Sequence, residues 1–369
     1  MSGRPTFAIF AGGGTGGHLL PGMAVAQALV ERGHEPATIH FVGSTTGVEA
    51  RLVPAAGFSL DELPGRGIQR RLTLRNLTAA LGIVVGMVRA LAIVRRRRPQ
   101  VVVALGGYAS VACGLAAVVW RVPVVVLEQN ARAGAANRLV ARRAAAAAVS
   151  FPGTDLPRAV VTGNPLRAAI RDAAIHPDRA AARAALDLPD ARVVVAVFSG
   201  SLGSRRINEA VHGLALRWQA RDDVAIRHVT GRRDHEEIAR RPRPQGPLVY
   251  QLVEYEDRME LLLGAADVAV TRAGGSVAEL AAMGVPAVLV PLPIATRDHQ
   301  TANARVLVDA GAAVLVPDDE LTTDRLVAEL TPLLDDPARR ARMAGAMRAN
   351  AHLDAADRVA EVIEAHARA

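Results

Sequence analysis

The chain of 369 residues contains no lysine, so all 44 of its basic residues are arginine. Without lysine the chain cannot form a Schiff base or supply the lysine of a phosphate-binding P-loop. Its single cysteine, Cys113, has no partner for a disulfide within this sequence, and a reducing compartment is expected. Aromatic residues make up only 3% of the chain, which argues against an aromatic-rich β-sandwich.

Two further absences concern metals and membranes. No Asp-x-Asp pair occurs, so a metal ion that clamps a diphosphate through two aspartates has no evident ligands, and no metal or tightly bound cofactor is expected. Residues 99–120 carry no charge and are long enough to span a bilayer. Pro99 and the Gly106-Gly107 pair interrupt them, however, so a buried strand, helix and strand are predicted instead of a membrane span.

The positive charge is concentrated in the first part of the chain. Residues 1–163 contain 18 arginines and 7 acidic residues, net +11, whereas residues 164–369 contain 26 arginines and 29 acidic residues, net −3. This asymmetry predicts an anionic partner for the first part alone. Nucleic acid is not expected to be that partner, because no aromatic residues accompany the arginines to stack on bases.

A glycine-rich stretch at residues 12–18 follows an apolar run at residues 7–10 and precedes a helical pattern. A glycine loop before a helix N-terminus suits a phosphate or a polar sugar. The stretch also matches the Gly-x-Gly-x-x-Gly pattern of dinucleotide-binding domains, which require an acidic residue at the end of the second strand. That strand, predicted at 38–42, ends in Gly43-Ser44, so the dinucleotide interpretation is the second choice. The nearest acids are displaced from this position in the chain: Glu31, Glu35 and Glu49.

The order of apolar runs and helical patterns predicts an α/β protein with two doubly wound parallel sheets. The first domain, 1–163, has predicted strands at 7–10, 38–42, 59–63, 101–105, 124–127 and 145–150, and helices at 20–32, 47–56, 73–97, 109–120 and 134–142. The second domain, 164–350, has predicted strands at 193–198, 224–229, 268–271 and 287–290, and helices at 177–186, 206–219, 276–283, 300–310, 324–335 and 337–350. A C-terminal helix within 351–369 is expected to pack back on the first domain, and ligands are expected in a cleft between the domains.

Six motifs occur in order along the chain: Gly-Gly-Thr-Gly-Gly-His at 13–18, Leu-Gly-Gly-Tyr at 105–108, Glu-Gln-Asn at 128–130, Gly-Asn-Pro-Leu-Arg at 163–167, Arg-Ala-Gly-Gly at 272–275 with Glu279, and Asp-His-Gln-Thr-Ala-Asn at 298–303. Together they resemble glycosyltransferase family 28, and in particular the enzymes that convert lipid I to lipid II in peptidoglycan synthesis. The resemblance implies a GT-B fold. It also implies inverting transfer of GlcNAc from UDP-GlcNAc, as co-substrate, to the 4-hydroxyl of undecaprenyl-diphospho-MurNAc-pentapeptide.

The same resemblance implies a set of residues that bind UDP-GlcNAc: Thr15, Gly16, Gly17, Asn130, Arg167, Ser201, Glu256, Gly274, Gly275, Ser276, Glu279 and Gln300. Arg167 and Ser201 are expected at the diphosphate and Glu279 at the ribose hydroxyls. The backbone around Glu256 is expected at uracil. Three segments depart from the usual family pattern: the loop at 199–203 lacks a glutamine, 272–279 is one residue shorter, and Glu256 replaces an aliphatic residue.

An inverting transfer needs a base for the incoming hydroxyl, and two candidates are present. His18 is the first, because an unperturbed imidazole has a pKa of about 6.5 and can accept a proton near neutrality. Glu128 is the alternative. Either side chain could instead be structural, His18 by orienting the glycine loop and Glu128 as a buried acid.

The helix predicted at 73–97 has two apolar faces, and four consecutive arginines, residues 95–98, stand at its C-terminal end. One face can lie in a membrane surface while arginines contact anionic lipid, so a peripheral location on the cytoplasmic face of the plasma membrane is expected. The residues assigned to this contact are Leu77, Leu81, Val85, Arg71 and Arg75. A helix buried on both faces remains the alternative. Other functions left open are a soluble GT-B glycosyltransferase or UDP-GlcNAc 2-epimerase, and a nicotinamide-dependent oxidoreductase.

Overall fold

A computed structural model describes residues 5–13, 16–45, 47–64 and 75–368. The chain divides into two compact units. Unit 1 comprises Met1–Arg167 together with His352–Ala369, and unit 2 comprises the residues between them. The change from unit 1 to unit 2 thus follows Arg167, whereas the sequence analysis placed a boundary after Gly163.

Unit 1 alternates strands and helices along the chain. Its elements are β1 (Ala8–Gly12), α1 (Gly16–Glu31), β2 (Ile39–Ser44), α2 (Glu49–Ala55), β3 (Ser59–Leu63), α3 (Arg75–Arg97), β4 (Val101–Gly106), α4 (Gly107–Val119), β5 (Val124–Glu128), α5 (Ala135–Ala141), β6 (Ala146–Val149), β7 (Ala159–Val161) and, after unit 2, α15 (Ala355–His366). The strands form one parallel sheet in the order β3-β2-β1-β4-β5-β6-β7.

Helices cover both faces of this sheet, which is why its strands are runs of apolar residues and not alternating patterns. Ile9 and its neighbour Phe10 are both fully buried, on opposite faces. Ile9 belongs to a core with α3, α4 and α5, and Phe10 to a core with α1, α2 and α15. Helix α15 is therefore part of unit 1, although it follows unit 2 in the chain. Arg32, just after α1, donates to Glu364 of α15 through Nε and Nη2 at 3.1 and 2.7 Å.

Unit 2 repeats the plan of unit 1. Its elements are α6 (Ala168–Ile175), α7 (Arg179–Ala185), β8 (Val193–Phe198), α8 (Arg205–Arg217), β9 (Val224–Val229), α9 (His235–Ala239), β10 (Val249–Val253), α10 (Met259–Ala265), β11 (Val268–Thr271), α11 (Ser276–Met283), β12 (Ala287–Leu289), α12 (His299–Asp309), β13 (Ala313–Leu315), α13 (Thr323–Asp335) and α14 (Pro337–Ala349). Its parallel sheet has the order β10-β9-β8-β11-β12-β13.

The predicted fold class is confirmed by these two doubly wound sheets. Strands 193–198, 224–229 and 268–271 and helix 276–283 have the predicted bounds. The predicted start of the first helix near residue 20 is wrong: α1 begins at Gly16 and includes Gly16 and Gly17 in its first turn. The sequence analysis missed β7, β10 and β13, and also α6, α9 and α10. The strand β7 has only three residues and is mostly exposed, and β10 contains Gln251 and is only partly buried, so neither gives the long apolar run of a buried strand.

Candidate active site

The carboxyl ends of β1 and β4 form the first candidate edge. These strands are neighbours, and the chain leaves them toward opposite sides of the sheet, which is the arrangement that opens a ligand crevice in doubly wound folds. Helix α1 begins at Gly16 just after β1, and α4 begins at Gly107 directly after β4. Two helix N-termini, with unpaired N–H groups and partial positive charge, therefore lie at this edge and suit an anionic group.

Glycines allow the two loops at this edge to approach each other. A Cβ atom built on Gly12 would lie 2.6 Å from the carbonyl oxygen of Gly106, and one built on Gly107 would lie 3.3 Å from that of Gly13. Gly106 also has φ of 109°, which other residues rarely adopt. A side chain at Gly12 would push the two loops apart.

His18 lies in the first turn of α1, together with Gly16 and Gly17, and is partly exposed. Its imidazole lies next to Gly106, since a Cβ built there would lie 3.2 Å from Nε2 of His18. The first candidate base is thus positioned over the end of β4. Thr15, another predicted donor contact, lies outside the described residues.

Glu128, the alternative base, ends β5 and is 1% exposed. Its Oε1 accepts hydrogen bonds from the backbone N–H and the side-chain amide of Asn130, both at 3.0 Å. Its Oε2 accepts from the N–H of Gly134 and from the amide of Asn137, also at 3.0 Å. The carboxylate thus holds Asn130 in a fixed orientation, and this geometry favours a positioning role over proton transfer.

The equivalent edge of unit 2 lies at the carboxyl ends of β8 and β11. After β8, residues 199–204 form a loop in which Gly200 and Gly203 have φ of 81° and 78°. Ser204 ends this loop and caps α8, its Oγ accepting from the N–H of Ile207 at 3.4 Å. Ser201 is exposed and lies in this loop, shortly before α8 begins.

The segment after β11 brings several predicted donor contacts together. Gly274 and Gly275 precede α11, of which Ser276 is the first residue and Glu279 lies in the first turn. From α12, the amide of Gln300 reaches this segment: a Cβ built on Gly274 would lie 3.8 Å from Nε2 of Gln300. The N–H of Leu292 donates to Oε1 of Gln300 at 2.9 Å, which fixes the direction of that amide.

Arg272 belongs to one of the six sequence motifs, but the sequence analysis gave it no role. In the structure it makes several contacts. Its Nη2 donates to Oγ of Ser204 at 2.6 Å, and its Nη1 donates to the carbonyls of Val290 and Pro291 at 3.0 Å. Nη1 also pairs with Asp318 at 2.6 Å. The guanidinium therefore connects the loops after β8 and β12 at the candidate site. The motif could have identified Arg272 as a candidate site residue. The partners of Arg272 could not be predicted, because they lie far from it in the chain.

The remaining predicted residues are placed as follows. Arg167 is the last residue of unit 1, is partly buried and directly precedes α6. Glu256 follows β10, but its side chain is buried against Arg227 and is therefore not available to a ligand. The described residues contain no group of three or more His, Cys, Asp or Glu side chains that could hold a metal ion.

Some residues of the predicted membrane contact lie outside the part of the chain that the structure describes. Arg71 is not described, and Arg75, Leu77 and Leu81 lie in the first two turns of α3. Farther along α3, three valines are exposed: Val85 to 40%, and Val84 and Val88 to 60% each. In the described part of the chain, no helix combines the length and the apolar character that crossing a bilayer requires.

Two doubly wound sheets, each with a glycine loop and helix N-termini at its carboxyl edge, are the architecture of the GT-B class. The model of the glycosyltransferase family 28 N-terminal domain matches residues 8–149, and that of the C-terminal domain matches residues 194–359. The chain belongs to glycosyltransferase family 28, and the resemblance drawn from the motifs is confirmed.

Individual relatives support the same assignment over the whole chain. The UDP-N-acetylglucosamine--N-acetylmuramyl-(pentapeptide) pyrophosphoryl-undecaprenol N-acetylglucosamine transferase of Desulforudis audaxviator is 37% identical, covering 96% of this chain and 97% of its own. The enzyme of the same name from Salinibacter ruber is 41% identical, covering 98% and 96%. The crystal structure of Acinetobacter baumannii MurG matches with a TM-score of 0.76 at 28% identity, covering 98% of this chain and all of that one.

Proposed function

We propose that this enzyme transfers GlcNAc from UDP-GlcNAc to the 4-hydroxyl of the muramoyl sugar of undecaprenyl-diphospho-MurNAc-pentapeptide, and so makes lipid II for peptidoglycan synthesis. The observation that carries this proposal is the similarity, over nearly the full length of both chains, to transferases named for this reaction. The nicotinamide alternative loses its support, because the chain belongs to a glycosyltransferase family.

Unit 2 is proposed to bind the donor nucleotide. The loop with Ser201 and the segment Gly274, Gly275 and Ser276 bring helix N-termini to one edge, where they suit a diphosphate. Each helix N-terminus stabilises the charge of the leaving UDP by about 0.3–2 kcal/mol. Arg167 adds a permanent cation, in place of a metal ion.

Side chains near this edge are proposed to recognise the rest of UDP-GlcNAc. Glu279 accepts hydrogen bonds from the ribose hydroxyls, and Gln300 contacts hydroxyls of the sugar through its amide. From unit 1, Asn130 is proposed to contact the GlcNAc group, and Thr15, Gly16 and Gly17 to contact the donor. The fixed orientations of Asn130 and Gln300 support these roles, because an oriented amide presents a defined donor and acceptor.

The reaction is proposed to be a single in-line displacement. The 4-hydroxyl oxygen of the acceptor forms a bond to the anomeric carbon of GlcNAc while the bond to the UDP oxygen breaks, which inverts the configuration. His18 takes the hydroxyl proton, and UDP leaves with the bonding electron pair. The partly exposed position of His18 over Gly106 supports this role, whereas Glu128 already accepts four hydrogen bonds and is proposed to position Asn130.

The enzyme is proposed to work as a peripheral protein at the cytoplasmic face of the plasma membrane, where its lipid-linked acceptor is anchored. The exposed valines of α3 and the arginines at its end support contact with an anionic membrane surface. Leu77, Leu81, Val85, Arg71 and Arg75 are the residues proposed for this contact.

One assay tests the proposed function directly. Radiolabelled GlcNAc is supplied as its UDP ester, and its transfer to a lipid I analogue is compared with its transfer to a soluble sugar acceptor. We expect transfer to the lipid I analogue only. Transfer to the soluble acceptor with equal efficiency would favour a soluble GT-B glycosyltransferase, and formation of the 2-epimer without transfer would favour the epimerase.

A further inference from the structure

A buried ion pair in unit 2 joins β9 to the segment that follows β10. Nε and Nη2 of Arg227 donate to Oε2 of Glu256 at 3.1 and 2.6 Å. The two side chains are only 12% and 5% exposed. The other oxygen, Oε1 of Glu256, accepts from the backbone N–H of Arg258 at 3.1 Å. The carboxylate is therefore held through both oxygens.

Arg227 is itself fixed in place. Its Nη1 donates to Oε1 of Gln251, the residue beside it in the register of β9 and β10, at 2.6 Å. The amide of Gln251 in turn donates to the carbonyls of Leu186 and Asp187 at 2.9 Å. The guanidinium thus has one position, which is set by the sheet and by the chain directly after α7.

Residues 254–258 are held by two further contacts. The N–H of Gly231 donates to the carbonyl of Glu254 at 3.0 Å. The guanidinium of Arg232 lies 4.7 Å from the ring centre of Tyr255. The N–H of Arg232 also donates to the carbonyl of Ser201 at 3.2 Å, so this segment is linked to the loop proposed to bind the diphosphate.

Stability alone does not explain a buried ion pair at this place. Removing two charges from water costs several kcal/mol, and well-packed apolar side chains of similar volume often give an equally stable protein. A buried pair does, however, fix geometry, because its attraction is satisfied in one arrangement only. Here the arrangement that it fixes is the path of the backbone at residues 255–257.

We propose that Arg227 and Glu256 are positioning residues for recognition of the donor nucleobase. By holding the Glu256 side chain inward, the pair presents the backbone N–H and carbonyl groups of residues 255–257 at a defined spacing. A pyrimidine edge with one N–H beside a carbonyl requires such a donor and acceptor pair. This inference rests on the proposed use of UDP-GlcNAc and on the family resemblance, which implies that uracil lies at the backbone around Glu256.

Three variants test the pair: Glu256→Gln, Arg227→Met, and the double variant Arg227→Met/Glu256→Leu. We expect each to raise KM for UDP-GlcNAc about tenfold, since hydrogen bonds to charged groups contribute on that scale. Turnover at saturating donor and KM for the lipid I analogue stay unchanged. The dissociation constant of UDP alone, measured by calorimetry, rises in the same proportion. The double variant keeps a folded protein, because it leaves no unpaired buried charge.

Arg183→Met is the matched control. Arg183 is also buried, at 6% exposed, and pairs with Asp267 at 2.6 Å, but this pair lies at the opposite, amino-terminal edge of the same sheet. We expect the control to lower the unfolding temperature and to leave both KM values as in the wild type.

The outcomes separate this inference from the proposed function. An unchanged KM for UDP-GlcNAc and unchanged UDP affinity in the folded double variant would overturn the positioning role. The same would follow if Arg183→Met raised KM for UDP-GlcNAc as much as Arg227→Met. Failure of the wild type to transfer GlcNAc would instead contradict the proposed function, and UDP calorimetry would still test the pair.

Discussion

At the scale of single residues, the hydrogen bonds of Glu128 and the position of His18 separate two acid–base candidates. Each carboxylate oxygen of Glu128 accepts two N–H groups, and the side chain is buried. His18 is partly exposed and lies next to Gly106, at the edge where two helices begin. These surroundings give the two residues different expected responses to mutation.

Replacement of His18 by alanine is expected to lower kcat by about 10²–10⁴-fold, the usual contribution of a general base, with little change in KM for UDP-GlcNAc. Steady-state kinetics with a lipid I analogue measures both values. His34→Ala is the control, because His34 lies in the same unit and bonds Glu364 of α15, not the site. Near-normal turnover of His18→Ala would remove His18 from the role of base.

Glu128→Gln is expected to act through Asn130. In the wild type, the backbone N–H and the side-chain amide of Asn130 donate to the carboxylate of Glu128. A glutamine side chain replaces one accepting oxygen by an NH₂ donor, so Asn130 loses its fixed orientation. We expect KM for UDP-GlcNAc to rise about tenfold, while the pH dependence of kcat keeps its shape. Loss of the acidic limb of that pH profile would instead identify Glu128 as the base.

At the scale of elements, the close approach of the loops after β1 and β4 depends on glycine. Gly106→Ala is expected to reduce kcat, because its Cβ would lie 3.2 Å from Nε2 of His18 and displace the imidazole. Gly33→Ala is a matched control. Gly33 has φ of 104°, close to the 109° of Gly106, but no atom lies within 4 Å of its Cβ position. Alanine has an unfavourable positive φ at both positions, so equal loss of kcat would contradict this explanation.

Helix α3 carries the second prediction at this scale. The double variant Val84→Ser/Val88→Ser is expected to lower binding to vesicles containing anionic phospholipid roughly tenfold, because less apolar surface enters the interface. Cosedimentation at two salt concentrations measures this, and wild-type binding should weaken as salt rises. Ile175→Ser changes an exposed apolar residue of unit 2 and should bind as the wild type does. Salt-independent binding would argue against contact of arginines with anionic lipid.

At the scale of the whole molecule, we expect stability to depend on pH through His40 in unit 1 and His228 in unit 2, which are 1% and 0% exposed. Burial lowers the pKa of His40 to about 4 and that of His228 to about 3. In the unfolded chain their pKa is about 6.5, so between that pH and their folded pKa values the unfolded state binds more protons. Stability contributed by the neutral histidines is therefore present at neutral pH and is lost as pH falls.

The free energy of unfolding is expected to fall by about 2 kcal/mol for each of these histidines between pH 7 and pH 5. Urea unfolding at pH 7, 6 and 5 measures the dependence. The variant His228→Gln removes one of the two groups, so its free energy of unfolding should depend less steeply on pH. An unchanged slope in this variant would show that other groups cause the dependence.

Prediction from the sequence succeeded where the signal was local. The runs at 193–198 and 268–271 are buried on both faces, so continuous apolar residues sufficed to identify strands. The strand β7 has only three residues and is mostly exposed, so its two valines form too short a run to identify a strand. The glycine motifs were found because a tight turn before a helix leaves a pattern within a few residues.

The sequence by itself determined two wound sheets, the places of the glycine loops and the family, because burial and backbone freedom depend on neighbouring residues. Only the tertiary structure decided which side chains meet. Arg272 contacts Ser204, and Arg227 contacts Glu256, because the strand order makes β8 a neighbour of β11 and β9 a neighbour of β10. Residues so far apart in the chain are brought together by packing of the sheet, which no local pattern records.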